Sequence, residues 1–150
     1  MPTPNPTSPT REEAIKVLNS LLQGERAAVA TYNKAISHLV GTYATELDAN
    51  QASHAKRVAA LADHITRLGG KPIMDGSIWV SFTKMIERTA ALVSDALVFA
   101  ALEQGEDIGL ADYRKALHQL DSESRHLVQQ HLLPAQELTH RRMSDLKHAS

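Results

Sequence analysis

Two glutamates stand where a helical chain would ordinarily place leucine. Glu25 is surrounded at helical spacing by Leu18, Leu21, Leu22, Val29, Ile36 and Leu39, and Glu106 by Leu92, Phe99, Leu110, Leu117 and Leu120. Seven residues after each comes a tyrosine, Tyr32 and Tyr113, and seven residues are two helical turns, so carboxylate and phenol share one face. Burying an ionised carboxylate costs several kcal/mol unless it is paired, hydrogen-bonded or bound to a cation. The two sites are also copies: Gln23-Gly24-Glu25 with Tyr32, Lys34 and Ala35 returns 81 positions later as Gln104-Gly105-Glu106 with Tyr113, Lys115 and Ala116.

The elements that must position these groups are helices. Aromatic residues are scarce and Ala, Leu, Glu, Gln, Lys and Arg dominate, so the chain is expected to be all-α. Residues 1–9, rich in Pro, Thr and Ser, are expected to form a disordered leader, and residues 10–150 one domain. Helix one is predicted from the cap Thr10, with Glu12 and Glu13 in its first turn, to Gly41. Helix two carries the heptad Leu47, Gln51, His54, Val58, Leu61, Ile65, Leu68 and stops at Gly69-Gly70. A linker follows, in which Ser77 caps a short amphipathic helix bearing Ile78, Trp79, Phe82, Met85 and Ile86. Helix three runs from near Leu92 to about Leu120. Helix four, capped by Asp121 or Ser122, is expected to bend at Pro134. Short turns at Gly41 and Asp121 and the long linker between them imply two antiparallel hairpins joined by a crossover, related by a pseudo-twofold axis.

Sixteen basic and seventeen acidic residues leave no basic block, so neither nucleic acid nor an anionic membrane is an expected partner. The absence of cysteine excludes disulfides, zinc-thiolate sites and cysteine nucleophiles. With no run long enough to span a bilayer, a cytoplasmic protein is expected. No Gly-rich phosphate loop, serine elbow or triad is present.

Glu25 with Tyr32 on helix one, the seam His54 on helix two, Glu103-x-x-Glu106 on helix three and Glu137-x-x-His140 on helix four together resemble the ferritin-like superfamily. The resemblance spans about residues 12–148 and is closest to bacterial ferritin-like four-helix-bundle proteins known only as a domain of unknown function. In ferritin-like di-iron proteins, a Glu from each of two helices and Glu-x-x-His from each of the others bind a metal pair. Carried over, the resemblance implies Glu25, His54, Glu103, Glu106, Glu137 and His140 as ligands of iron or manganese. Tyr32 and Tyr113 would then be donors behind the ligands or redox partners, and the implied chemistry is iron oxidation or oxygen and peroxide reactions. Gln51 stands three residues before His54, where that pattern has a glutamate, and a neutral amide is a poor bridging ligand.

Two alignments of helix two on helix four compete. An offset of 86 pairs Gln51 with Glu137 and His54 with His140, a metal-like dyad, whereas an offset of 85 turns Gln136 and Thr139 inward. The alternative to a metal centre is a satisfied polar network, with Gln51 and His54 hydrogen-bonded and Glu25 and Glu106 paired to histidines or phenols. A metal-free protein of that kind would act through association, as a stress or scaffolding homodimer or higher homo-oligomer. The remaining histidines, Lys56-Arg57 and Arg141-Arg142 are expected on solvated faces.

Overall fold

The computed structural model describes residues 9–38, 43–74 and 95–149, and all their regular structure is helical. The expectations for the leader, for the turn at Gly41, for the start of helix three at Leu92 and for the amphipathic segment with Trp79 lie outside the described residues. Helix α1 spans Arg11–His38, α2 Ala44–Arg67 and α3 Asp95–Ala116. The fourth helix is continuous but not uniform: α4, Ser122–Leu127, passes through a π turn, Val128–Leu132, into α5, Leu133–Ala149. The architecture is a four-helix bundle in which α1 packs on α2 and α3 on α5.

Local chemistry sets the helix ends. Thr10 and Glu13 form a reciprocal capping box, Glu13 N–H donating to Thr10 Oγ1 at 3.1 Å and Thr10 N–H to Glu13 Oε2 at 3.2 Å. Helix α2 ends in a left-handed turn at Gly69, φ +85°, closed by Gly70 N–H on the Ile65 carbonyl at 2.9 Å. Any larger residue at Gly70 would force Ile15 to shift, because a Cβ there would lie 2.8 Å from Ile15 Cγ2. The chain beyond is stitched to α1: Asn19 bonds the Lys71 carbonyl and the Ile73 amide at 3.0 and 2.8 Å, and Arg26 the Ile73 carbonyl at 2.9 Å. Asp121 caps α4, and Arg125 donates to the carbonyls of Leu117 and Leu120 at the end of α3.

The core is layered along the bundle. One apolar cluster holds Leu18, Leu22, Leu61, Ile65, Leu120, Val128 and Leu132; the other holds Ala35, Leu47, Phe99, Leu102, Met143 and Leu146. Each long helix places buried polar residues between the two: Glu25 on α1, His54 and Arg57 on α2, Glu106 on α3, Gln136 and Thr139 on α5. His64, expected at the surface, is buried within the first of these layers and meets Ser124 Oγ at 2.8 Å.

Where a bend was expected at Pro134, the helix carries a π turn just before the proline, in which Leu133 N–H reaches back five residues to the Val128 carbonyl. A proline cannot donate and its ring crowds the carbonyl four residues before it, so widening the preceding turn relieves both problems. The buried positions Ser124, Val128, Leu132 and Gln136 are spaced by four. In a regular helix three such steps would drift by roughly 120°, and the wider turn takes up that drift. The inward residues of α5 are therefore Gln136 and Thr139, as the offset of 85 requires.

Candidate functional site

Glu25 and Glu106 face each other across the bundle centre, joined by His54. Its Nδ1 lies 2.5 Å from Glu25 Oε2 and its Nε2 2.7 Å from Glu106 Oε1. Ionised carboxylates only accept, so both ring nitrogens must carry protons and the ring is an imidazolium. Burial by itself disfavours that cation, but the Glu25 charge and the bonds to both carboxylates outweigh it and raise the His54 pKa to about 9. Burial likewise pushes the Glu106 carboxyl up, yet His54, Tyr32 and Thr139 together hold it below the ordinary value.

The tyrosines act across the pseudo-twofold axis. Tyr32 donates to Glu106 at 2.7 Å and Tyr113 to Glu25 at 2.8 Å, so each half supplies the phenol for the other half's carboxylate. Burial, reinforced by the adjacent carboxylates, raises both phenol pKa values well above 10. Asn50 bonds the Tyr32 oxygen and the Thr139 carbonyl, and Tyr32 stacks on the His54 ring.

Arg57, expected on a solvated face, is at the heart of the site. It is 2% exposed. Its Nη1 donates to Glu25 Oε1 at 3.1 Å and to Gln136 Oε1, and its Nη2 to Thr139 Oγ1 at 3.1 Å. Gln136 and Thr139 in turn each donate to Glu106 Oε2 at 2.8 Å. Gln136 reaches that far because α3 has a glycine opposite it: a Cβ on Gly109 would lie 2.7 Å from Gln136 Nε2. All four carboxylate oxygens of Glu25 and Glu106 thus accept hydrogen bonds, and two anions are matched by two cations, His54 and Arg57. A cavity of about 50 Å³, lined by Gly24, Ala28, Gly105 and Gly109, lies beside this network between α1 and α3.

Of the residues expected to line a metal pair, the centre gathers Glu25, His54, Glu106, Tyr32 and Tyr113. Gln51 is only half-buried and takes no part in the network. Glu137 is exposed, and His140 is turned to the outer side of α5, 2.5 Å from Asp107. Glu103 is largely buried but takes no part in the centre, with the Lys147 ammonium 3.0 Å from its Oε2. The four positions that the paired Glu-x-x-His pattern would turn inward are Gln51-x-x-His54 and Gln136-x-x-Thr139, and of these only His54 is both at the centre and an ordinary metal ligand. Two metal ions would also have to share the centre with a guanidinium that keeps its charge. This donor set does not fit a metal pair.

Arg57 had a signal in the sequence, since it lies three residues after His54 on the seam side of α2. Its neighbour Lys56, which is exposed, made the pair look like a solvated face.

The family model described as Domain of unknown function (DUF2383) matches residues 13–119. No curated protein matches the sequence. DpsC from Streptomyces coelicolor superposes with a TM-score of 0.75 at 17% identity, over 95% of this chain and 90% of that one. The bacterioferritin-related protein from Bacteroides fragilis, a dodecameric thioferritin, superposes with a TM-score of 0.70 at 17% identity, over 92% and 86%. Among the described residues, no helix is long and apolar enough to cross a membrane.

Proposed function

We propose, from the premise that this chain belongs to the family described as Domain of unknown function (DUF2383) and carries a ferritin-like bundle, that its bundle centre works without a metal pair and that the protein acts through homo-oligomeric association. One observation carries the first half: Arg57 occupies the bundle centre and, with His54, supplies the positive charge that the two carboxylates require. The residues of the centre bind each other and hold protons at stated atoms, on both His54 nitrogens and both phenols.

The second half is supported by likeness to a dodecameric protein. It is supported also by apolar side chains turned outward on the paired helices, Ile108 on α3 and Leu138 on α5, 37% and 43% exposed. The competing reading is iron or manganese at the centre, used for iron, oxygen or peroxide chemistry, and it draws on the survival of Glu25, His54 and Glu106.

Metal analysis after anaerobic exposure to ferrous or manganous ion, together with light scattering on a sizing column, tests both halves. The expected result is no metal that depends on Glu25 and Glu106, and a mass that is a multiple of 16.4 kDa. Two metals per chain, lost in the double variant Glu25→Ala/Glu106→Ala, would overturn the metal-free centre. A monomer at all accessible concentrations would overturn the association.

A further inference from the structure

The π turn that brings Gln136 and Thr139 inward carries His140 outward, and there it meets two carboxylates. Glu103 and Asp107 are one turn apart on α3, hence on one stripe of that helix, and His140 approaches from α5. One ligand atom from each of the three lies within 4.8 Å of the others, with His140 Nε2 and Asp107 Oδ1 at 2.5 Å. We propose that Glu103, Asp107 and His140 bind a single divalent transition-metal ion at the surface of the α3/α5 pair, separate from the bundle centre and with no bridging partner ion.

The geometry suits one ion. Metal to oxygen or nitrogen bonds of about 2.0–2.2 Å place neighbouring ligand atoms roughly 3 Å apart, so the three groups need only small side-chain rotations to converge. Asp107 and His140 are free to make them, with side chains 60% and 26% exposed. Glu103 is the anchored ligand: its side chain is 15% exposed, and its buried Oε2 is ion-paired to Lys147 at 3.0 Å with no hydrogen-bond donor aligned on it among the described residues. A divalent ion would replace the Lys147 ammonium as the cation on that oxygen, so the two compete for it.

The donor set selects the class of ion. One imidazole with two carboxylates favours zinc, cobalt or nickel over magnesium or calcium, which prefer oxygen alone. Three protein ligands leave at least one coordination position open to water or to a small anion. The adjoining groove presents Glu137, Asp145, Arg114 and Arg141, so both signs of charge border that open position. No hydrogen bond among the described residues joins these three side chains to the central network, although they flank it: Glu103 and His140 lie within one turn of Glu106 and Gln136 on the same two helices.

Cobaltous ion is the probe, because its visible absorption reports ligand number and its binding heat is measurable on the same protein. Wild-type protein stripped with chelator is expected to bind one cobalt per chain and to release it to one equivalent of zinc. His140→Ala and Asp107→Asn, both at the surface, should retain the helical circular dichroism spectrum and weaken binding by about tenfold or more. Lys147→Ala should strengthen it by removing the competing ammonium. Absence of saturable binding, or affinity unchanged in His140→Ala and Asp107→Asn, would overturn the site. Binding that survives in His140→Ala but disappears in Glu25→Ala would overturn it as well and would place the ion at the centre, against the proposed function instead.

Discussion

Arg57 illustrates how one side chain decides the character of a buried site. A guanidinium cannot neutralise itself by losing a proton, so Glu25 and Arg57 hold each other in the core as a pair. Removing one partner of such a pair leaves the other uncompensated. Arg57→Met is accordingly expected to lower unfolding free energy by about 3–5 kcal/mol in urea titrations, and Arg57→Met with Glu25→Gln by much less than the sum of the two single changes. His54 makes a matching prediction about pH. Its folded pKa, raised from 6.5 to about 9, means that its contribution is complete below 6.5 and is lost as pH rises through 9. That contribution is on the order of 3 kcal/mol. Glu106 works in the opposite direction: its lowered pKa gives stability that is present above 4.5 and lost on acidification below it. Denaturation midpoints should therefore be highest between about pH 5 and 6.5 and fall by pH 9.5, and His54→Gln should flatten the alkaline decline. A wild-type protein as stable at pH 9.5 as at pH 6 would contradict this. Glu25, Glu106 and their tyrosines were legible in the sequence because a charged residue in an apolar stripe, repeated at a fixed offset, requires a buried partner. Arg57 was not, because a basic residue beside a lysine on a helix is usually solvated, and its partners Gln136 and Thr139 come from a helix whose register was open.

The fourth helix shows how an element can change the face it presents without changing its hydrophobic pattern. Proline at position 134 marked the place of the interruption, but a kink, a break and a π turn all satisfy a proline, and each rotates the following residues differently. The deciding factor is tertiary: Gln136 and Thr139 both bond Glu106 Oε2, and that fixes the rotation. If the π turn is one residue inserted into an α-helix, deleting a residue there should restore regular geometry with the same inward face. Gln130 is exposed and suited to deletion, provided that Pro134→Ala removes the ring that would clash with a regular turn. The combined variant is expected to keep Gln136 and Thr139 on Glu106 and to melt within a few degrees of wild type. A crystal structure with Glu137 and His140 turned inward would show that the proline, and not the network, sets the register.

At the scale of the whole molecule the bundle is a twofold-symmetric frame around an asymmetric centre. Helices α1 and α3 kept their copies, Glu25 with Tyr32 and Glu106 with Tyr113, and exchange phenol hydrogen bonds across the axis. Helices α2 and α5 diverged, with His54 and Arg57 on one side and Gln136 and Thr139 on the other. The fold was readable from periodicity on all the helices and from the 81-residue repeat of helix one on helix three, whereas the centre turned on α2 and α5, whose inward residues differ. Restoring that symmetry is the most direct check on why the centre holds cations of its own. The variant Gln51→Glu/Arg57→Ala/Gln136→Glu/Thr139→His removes the guanidinium and supplies the missing carboxylates and imidazole at the inward positions, in a His140→Ala background that silences the surface cluster. Without metal it gathers four carboxylates in one bundle and should be less stable than wild type by several kcal/mol. With ferrous or manganous ion at one hundred times the dissociation constant, it should regain roughly 2.7 kcal/mol per ion, since ligand binding to the folded state alone stabilises by mass action. Two metals per chain in the variant, against none at the centre of the parent, is the expected measurement. Equal and negligible metal in both would mean that the frame itself, and not the replacement of ligands by Arg57, Gln136 and Thr139, excludes the ions.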